Sequence, residues 1–371
     1  MKRHQRGFSM VELMVATTLA LIVMGAVVSV FVGSRAAYQA TSDVASLADG
    51  GRFALNFIQQ SVRGGGFLAC NHATTNTNLN LVNTATSLLA YDFRYGVGGY
   101  EAAGTGPIGA FAVVATPTAD SSAGDWTPSL DPAFGSAINQ QVKGSDVLVI
   151  RSSVPRSAPA YLTADITLGA TGFQVNSSTT LQAGQLAAIS DCTKSVTFQI
   201  SSAGGGSPAS ISFGGSVGPP GNVAGAALQV GFAAGALISP VTTTIYYIGV
   251  GADGDSALKR MEFVNGLVNG AAIFTDEEIV PDVENMQVLY GIDTNGTQTP
   301  SAYVTADLVP DFGAVMSVKV AVLAASPASL AAPPATALPA FNLLGTQVTA
   351  PRDTRMRKVF DMTITVRSAV N

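Results

Sequence analysis

From Leu13 to Val32 the chain runs for twenty residues without a formal charge, LMVATTLALIVMGAVVSVFV. A helix of that length spans about 30 Å, the thickness of a bilayer's hydrocarbon core. Lys2, Arg3 and Arg6 precede it. That basic stretch predicts a cytoplasmic N-terminus, with the rest of the chain on the far side of the membrane. A secretory signal peptide has a shorter apolar core and a small-x-small cleavage site. This run is longer and flows into further helical sequence. Glu12 is out of place: a carboxylate in a membrane span costs about 2.5 kcal/mol or more at the bilayer centre and less near its edge. A residue kept there at such a cost implies a partner.

Composition narrows the remainder. Of 371 residues, 12% are charged and 47% are hydrophobic, and 39 are Gly. Mean hydropathy is +0.34. Disorder needs the reverse balance, and a long coiled coil needs far more Glu, Lys and Arg. The net charge of −5 leaves no basic surface for nucleic acid. Two His and two Cys exclude most zinc sites and His-dependent triads. The chain therefore reads as no enzyme, with no catalytic residues, no metal site, no cofactor and no small-molecule substrate.

The stretch GFSMVELMVA, Gly7 to Ala16, resembles the type IV prepilin motif. The resemblance implies that a prepilin peptidase cuts after Gly7, and that the new N-terminus, Phe8, is N-methylated. Glu12 is then the fifth mature residue. Cleavage leaves a charged amine at the membrane edge. Glu12 of one subunit pairing with the amine of Phe8 on a neighbour offsets the desolvation that each suffers alone. A secretion signal anchor without cleavage is the plainer alternative.

Beyond the membrane run, Val44, Leu47, Gly51, Leu55, Ile58 and Val62 recur at spacings of three and four, one helical face. Phe53 and Phe57 are expected to widen it. Gly50-Gly51 is expected to loosen the helix, and Gly64-Gly65-Gly66 to end it. Residues 1–7 then form the leader, 8–33 the membrane and polymerisation half of the helix, 34–63 its amphipathic half and 64–371 a periplasmic β-rich body. In that body short β-branched or aromatic runs alternate with Gly, Pro, Ser, Asn and Asp. Candidate strands are Val147–Arg151, Ser195–Ile200, Thr243–Ile248, Met286–Tyr290, Val315–Leu323 and Val359–Val366. The expected fold class is α+β, type IV pilin-like: a long N-terminal helix on a large antiparallel β-sheet body. No charge occurs between Lys194 and Asp253. The Gly-, Ala-, Ser- and Pro-rich parts of that segment suggest flexible loops at an exposed tip. Ala325–Pro339 reads as a second low-complexity loop.

Cys70 and Cys192 are the only cysteines, and a periplasmic body allows them to form a disulfide. Ser207 in GGGSPAS lacks the second Gly of a nucleophile elbow, and His72 is the sole candidate base. Asp253-Gly254-Asp255 and Asp293-Thr294-Asn295-Gly296 are fragments of calcium-loop patterns, equally explained as tight turns. Asp276, Glu277, Glu278, Asp282 and Glu284 read as a solvated face or a helix start. Arg352, Arg355, Arg357 and Lys358 read as a solvated lead into a strand that meets, at most, an acidic neighbour subunit.

Five stretches resemble the PilW family of minor pilins: Gly51–Cys70, Ser190–Ile200, Ile245–Gly249, Val280–Gly296 and Lys358–Ser368. The resemblance implies a type IV pilus protein that assembles with other minor pilins at the tip and primes polymerisation of the major pilin. Its implied partners are other minor pilins, the major pilin, the prepilin peptidase and the inner membrane. Twitching motility and adhesion are the implied roles. A minor pseudopilin of a type II secretion system shares the same leader and helix, and an adhesin or ligand-binding module on a pilin stem is a third reading.

Overall fold

The computed structural model describes residues 9–72, 78–84, 91–119, 122–130, 141–154, 158–177, 181–215, 218, 220–268, 271–327 and 336–366. The apolar run and the amphipathic stripe after it form one helix, α1, Met10–Gly64. No proline interrupts its 55 residues, which extend about 80 Å. Glycines end it. The amide of Gly65 bonds back to the carbonyl of Val62 at 3.1 Å, and the amide of Gly66 reaches the carbonyl of Arg151 at 2.8 Å. Gly66 does so at φ +78°, where a side chain would be strained.

The longer strands are β1 (Val97–Ala102), β2 (Val147–Ser153), β3 (Leu186–Ser190), β4 (Ser195–Gln199), β5 (Leu237–Val250), β6 (Ser256–Val268), β7 (Ala271–Pro281), β8 (Val283–Ile292), β9 (Val315–Ala325) and β10 (Arg357–Thr365). Each of the six candidate runs lies within one of them or overruns it by a single residue. β8, β9 and β10 pair antiparallel, with the short strand Ala302–Val304 on the outer edge of β8. β10 alternates as its sequence implies: Ile364, Met362 and Phe360 face Val318, Val320 and Val322 in register. That row packs with Ala54, Leu55, Ile58 and Val62 of α1.

β1 to β7 belong to a second sheet in which β5 is shared most widely. Thr244 faces both Ile150 of β2 and Glu262 of β6, while Ile238 pairs with Ile189 of β3. The long strands pair antiparallel. Among the described residues two short pairings are parallel: Asn78–Asn80 with β4, and Ala110–Ala112 with Thr346–Thr349. Asp146 joins the two sheets. Its buried carboxylate accepts the amides of Ala102 in β1 at 2.9 Å and Val288 in β8 at 2.7 Å. Glu101, 6% exposed, lies nearby and accepts from the Thr105 hydroxyl at 3.0 Å. Burial, opposed by that hydrogen bond and reinforced by Asp307, pushes its carboxyl up to about 7.

The charge-free segment departs from expectation. It contains β4 and all of β5, whose runs are expected strands, and its Gly-rich part, instead of forming only flexible loops, supplies Ser202–Ala203 and Ala209–Ser212. Ala209, Ile211, Phe213, Leu228 and Phe232 are buried with Phe173 and Phe198 in a second core. The rings of Phe173, Phe198 and Phe213 lie 4.7–6.0 Å apart. Widely spaced apolar anchors suffice here because the many Gly and Ala between them let backbones approach closely. Of the insertion Ala325–Pro339, residues 328–335 lie outside the described residues.

Candidate functional site: the N-terminal helix and its seating on the body

Gly7 and Phe8 lie outside the described residues. Glu12 is exposed in the first turn of α1. Every large apolar side chain from Met10 to Val32 is exposed. The hydroxyls in this half stay within it: Thr17 donates to the carbonyl of Leu13 at 3.0 Å, Thr18 to Val15 at 2.9 Å and Ser29 to Ala26 at 2.8 Å. With those groups satisfied internally, the surface is suited to lipid or to other apolar helices. One acidic side chain stands at its start.

Only the second half meets the body. Leu47, Gly51, Ala54, Leu55, Ile58 and Val62 are buried. Val44, expected in the same stripe, is 52% exposed, one turn beyond the last residue that the sheets cover. Phe53 and Phe57 do not widen the core face; they are 58% and 37% exposed. Each precedes a buried residue, Ala54 or Ile58, by one position and so lies about 100° round the helix. They line a groove with Ile279, Pro281 and Ala325. The Gly50-Gly51 pair does not break the helix. A Cβ on Gly51 would lie 2.2 Å from the Phe360 ring, so this glycine lets α1 sit down on β10.

Two further devices seat the helix. Ser61 shares a 2.8 Å hydrogen bond with the hydroxyl of Tyr246 in β5. Just after α1, Cys70 is disulfide-bonded to Cys192 across 122 residues, with Cα atoms 4.7 Å apart. Cys192 sits in the β3–β4 turn at φ +68°. Its amide donates to Ser190 Oγ at 3.1 Å. Asp191 accepts the amides of Thr193 and Lys194 in that turn, each at 3.0 Å, and pairs with the Lys194 ammonium.

The acidic and basic clusters also depart from expectation. Neither forms a helix start, and they meet in part: Asp282 and Glu284 pair with Arg355 and Arg357, whereas Asp276, Glu277, Arg352 and Lys358 are exposed, as a solvated face requires. Arg357 is fully buried at its side chain and grips both oxygens of Glu284, at 2.6 and 2.8 Å, and the carboxylate of Asp353 at 2.6 Å. The opposing effects of burial and of the Arg357 bond leave the Asp353 carboxyl below its usual range. Arg355 bonds Asp255 at 3.0 Å, Asp282, and the carbonyl of Ser326 at 2.7 Å. Asp253, Asp255 and Asp282 do bring three carboxylates within 4.8 Å, but the Arg355 guanidinium already sits against two of them. On the β6–β7 hairpin, Lys259 pairs with Asp276 at 2.6 Å and Arg260 with Glu277 at 2.7 Å. Glu278 accepts the amide of Ala252 at 2.8 Å in the β5–β6 turn. Ser207 lies in a turn and donates to the carbonyl of Asn176 at 2.7 Å. The side chain of His72 lies outside the described residues. Asp146 and Glu101 carried no sequence signal, since a lone carboxylate beside an apolar run is ordinary at a strand end.

Residues 245–368 match the family model described as Type IV Pilus-assembly protein W, and residues 2–28 match the prokaryotic N-terminal methylation motif. A solved type IV-like pilin from Thermus thermophilus aligns at 18% identity over 35% of this chain and 67% of its own, with a TM-score of 0.21. Comparison with curated proteins returns no match. The Pilus-assembly protein W region runs from within β5 through β10, the strands that receive the lower half of α1. The methylation motif covers the leader and the exposed upper half. The chain thus carries a prepilin-type N-terminus ahead of a region similar to Type IV Pilus-assembly protein W.

Proposed function

We propose that this protein works in the tip complex of a type IV pilus, where it assembles with other minor pilins and primes polymerisation of the major pilin. The leader, residues 1–7, is removed by the prepilin peptidase between Gly7 and Phe8, and Phe8 is methylated. Residues 8–33 anchor the chain in the inner membrane and then pack among neighbouring helices. Residues 34–63 carry the periplasmic body, 64–371. The N-terminus faces the cytoplasm. The role is structural: the chain is a substrate of the peptidase and otherwise an assembly partner. Twitching motility and adhesion follow from the pilus that it starts.

The observation that carries this reading is the division of α1. One face of residues 47–62 is buried against β9 and β10, while residues 10–33 are exposed and apolar except for Glu12 and a few self-satisfied hydroxyls. A helix so divided is held rigidly at one end and offered to partners at the other. Glu12 supplies the charge that meets the methylated amine of an adjacent subunit, which sets axial register.

Mass spectrometry of the N-terminal peptide from sheared surface fibres and from membranes tests it. The expected chain begins at N-methylated Phe8, abundant in membranes and scarce in fibres. Glu12→Ala should still be processed and disulfide-bonded, yet disappear from fibres, and fibre number should fall several-fold. A chain that starts at Met1, or is cut beyond Val32, contradicts the reading. A processed chain confined to membranes, in cells with normal fibre number, points instead to a pseudopilin of a secretion system.

A further inference from the structure

The turn between β8 and Ala302–Val304 reads Asp293-Thr294-Asn295-Gly296-Thr297. Asn-x-Thr, with x other than Pro, is the acceptor pattern for an N-linked glycan. Thr294 through Thr299 are all exposed. The turn is closed by its own acid: Asp293 accepts the amides of Asn295 at 3.0 Å and Gln298 at 2.7 Å. Gly296 makes the bend at φ +69°. Asn295 Oδ1 accepts weakly from the Thr294 hydroxyl at 3.4 Å, and its Nδ2 has no hydrogen-bond partner among the described residues. The nitrogen that such a modification uses is therefore exposed and uncommitted, on a loop tip where added bulk displaces no packing. The chain's other acceptor pattern is Asn176-Ser177-Ser178. The Asn176 side chain is spent on the strand, since its Oδ1 accepts the amide of Tyr161 at 2.8 Å.

We propose that Asn295 is an N-glycan acceptor. An oligosaccharyltransferase joins Asn295 Nδ2 to C1 of a glycan carried on a lipid diphosphate. The bond from C1 to the phosphate oxygen breaks, the lipid diphosphate leaves with the electron pair, and one amide proton passes to solvent. No oxidation or reduction is involved. The inference rests on the proposed placement of the body outside the cytoplasm.

The test uses the full chain purified in detergent from its own cells, with free cysteines alkylated before reduction. Trypsin cuts after Arg260 and Lys319, which isolates peptide 261–319. The expected peptide carries a mass increment of at least one sugar on Asn295. Asn295→Gln and Thr297→Ala should each abolish the increment, whereas Thr297→Ser and Asn176→Gln should keep it. A bare Asn295 in a chain whose Cys70–Cys192 bridge has formed overturns the glycan and leaves export intact. A bare Asn295 with both cysteines alkylated overturns the placement of the body as well. An increment that survives Thr297→Ala also overturns the proposal.

Discussion

Glu101 and Asp146 place two carboxyl groups inside the body, and their cost depends on pH. The Glu101 carboxyl lies at about 7 against an ordinary 4.5. Asp146 is shifted upward too, by burial first and then by the charge of Glu101. A folded pKa above the unfolded one gives stability that is full below pH 4.5 and lost as pH rises through 7. The detergent-solubilised protein should therefore resist unfolding better at pH 5 than at pH 8. Glu101→Gln should raise stability at pH 8 by up to about 3 kcal/mol and narrow the difference between the two pH values. Denaturant unfolding of both proteins at both pH values checks this, and an unchanged pH dependence would mean that Glu101 is charged and hydrated in the fold. Asp191, whose carboxyl is lowered to about 2 as its turn amides and Lys194 outweigh burial, acts with the opposite sign and only below pH 4. The charged residues themselves were plain in the sequence. That Arg357 would be buried on Glu284 was not, because the two stand 73 residues apart and meet only across strands.

Among elements, α1 shows how one local pattern serves two environments. Its length and its C-terminal glycines were legible, since both are local properties of the backbone. Which flank would be covered was legible only in part: Leu47, Gly51, Leu55, Ile58 and Val62 were, whereas Val44, Phe53 and Phe57 depend on where the sheets end. The adjacent glycines give a paired test with opposite signs. At Gly50 an added Cβ meets only Val280 Cγ1 at 3.7 Å, so Gly50→Ala should stabilise by up to about 1 kcal/mol through helix propensity. At Gly51 the same methyl collides with the Phe360 ring. Overpacking of that kind costs about 1–3 kcal/mol, which should outweigh the propensity gain. Thermal unfolding of the two variants beside the parent would show the split; equal shifts would mean that α1 does not seat on β10 through Gly51.

At the scale of the whole molecule, few strong charges hold many parts. The Cys70–Cys192 bridge fastens the segment after α1 to the β3–β4 turn across 122 residues. Constraining a loop of that size lowers the entropy of the unfolded chain, worth about 4–5 kcal/mol in the chain-entropy model. A Cys70→Ser, Cys192→Ser double variant should lose about 2–5 kcal/mol. Reductant should then have no further effect on it while still destabilising the parent. A variant as stable as the parent would make the bridge incidental. The second core, built from a segment with no formal charge, was the largest surprise at this scale. Its low-complexity composition resembled a loop, but Ile211, Phe213, Leu228 and Phe232 close on Phe198 within the segment and on Phe173 shortly before it.

The apolar span, the basic residues before it, Glu12 at its start and the end of the helix all follow from order along the chain, because membrane solubility, helix period and glycine termination act over a few neighbouring residues. Strand alternation in β9 and β10 is local in the same way. The seat of Gly51 under Phe360, the ion pairs of Arg355 and Arg357, the bridging carboxylate of Asp146 and the packing of the charge-free segment belong to the folded molecule. Most join residues tens to hundreds of positions apart, and their energies exist only once particular strands lie side by side.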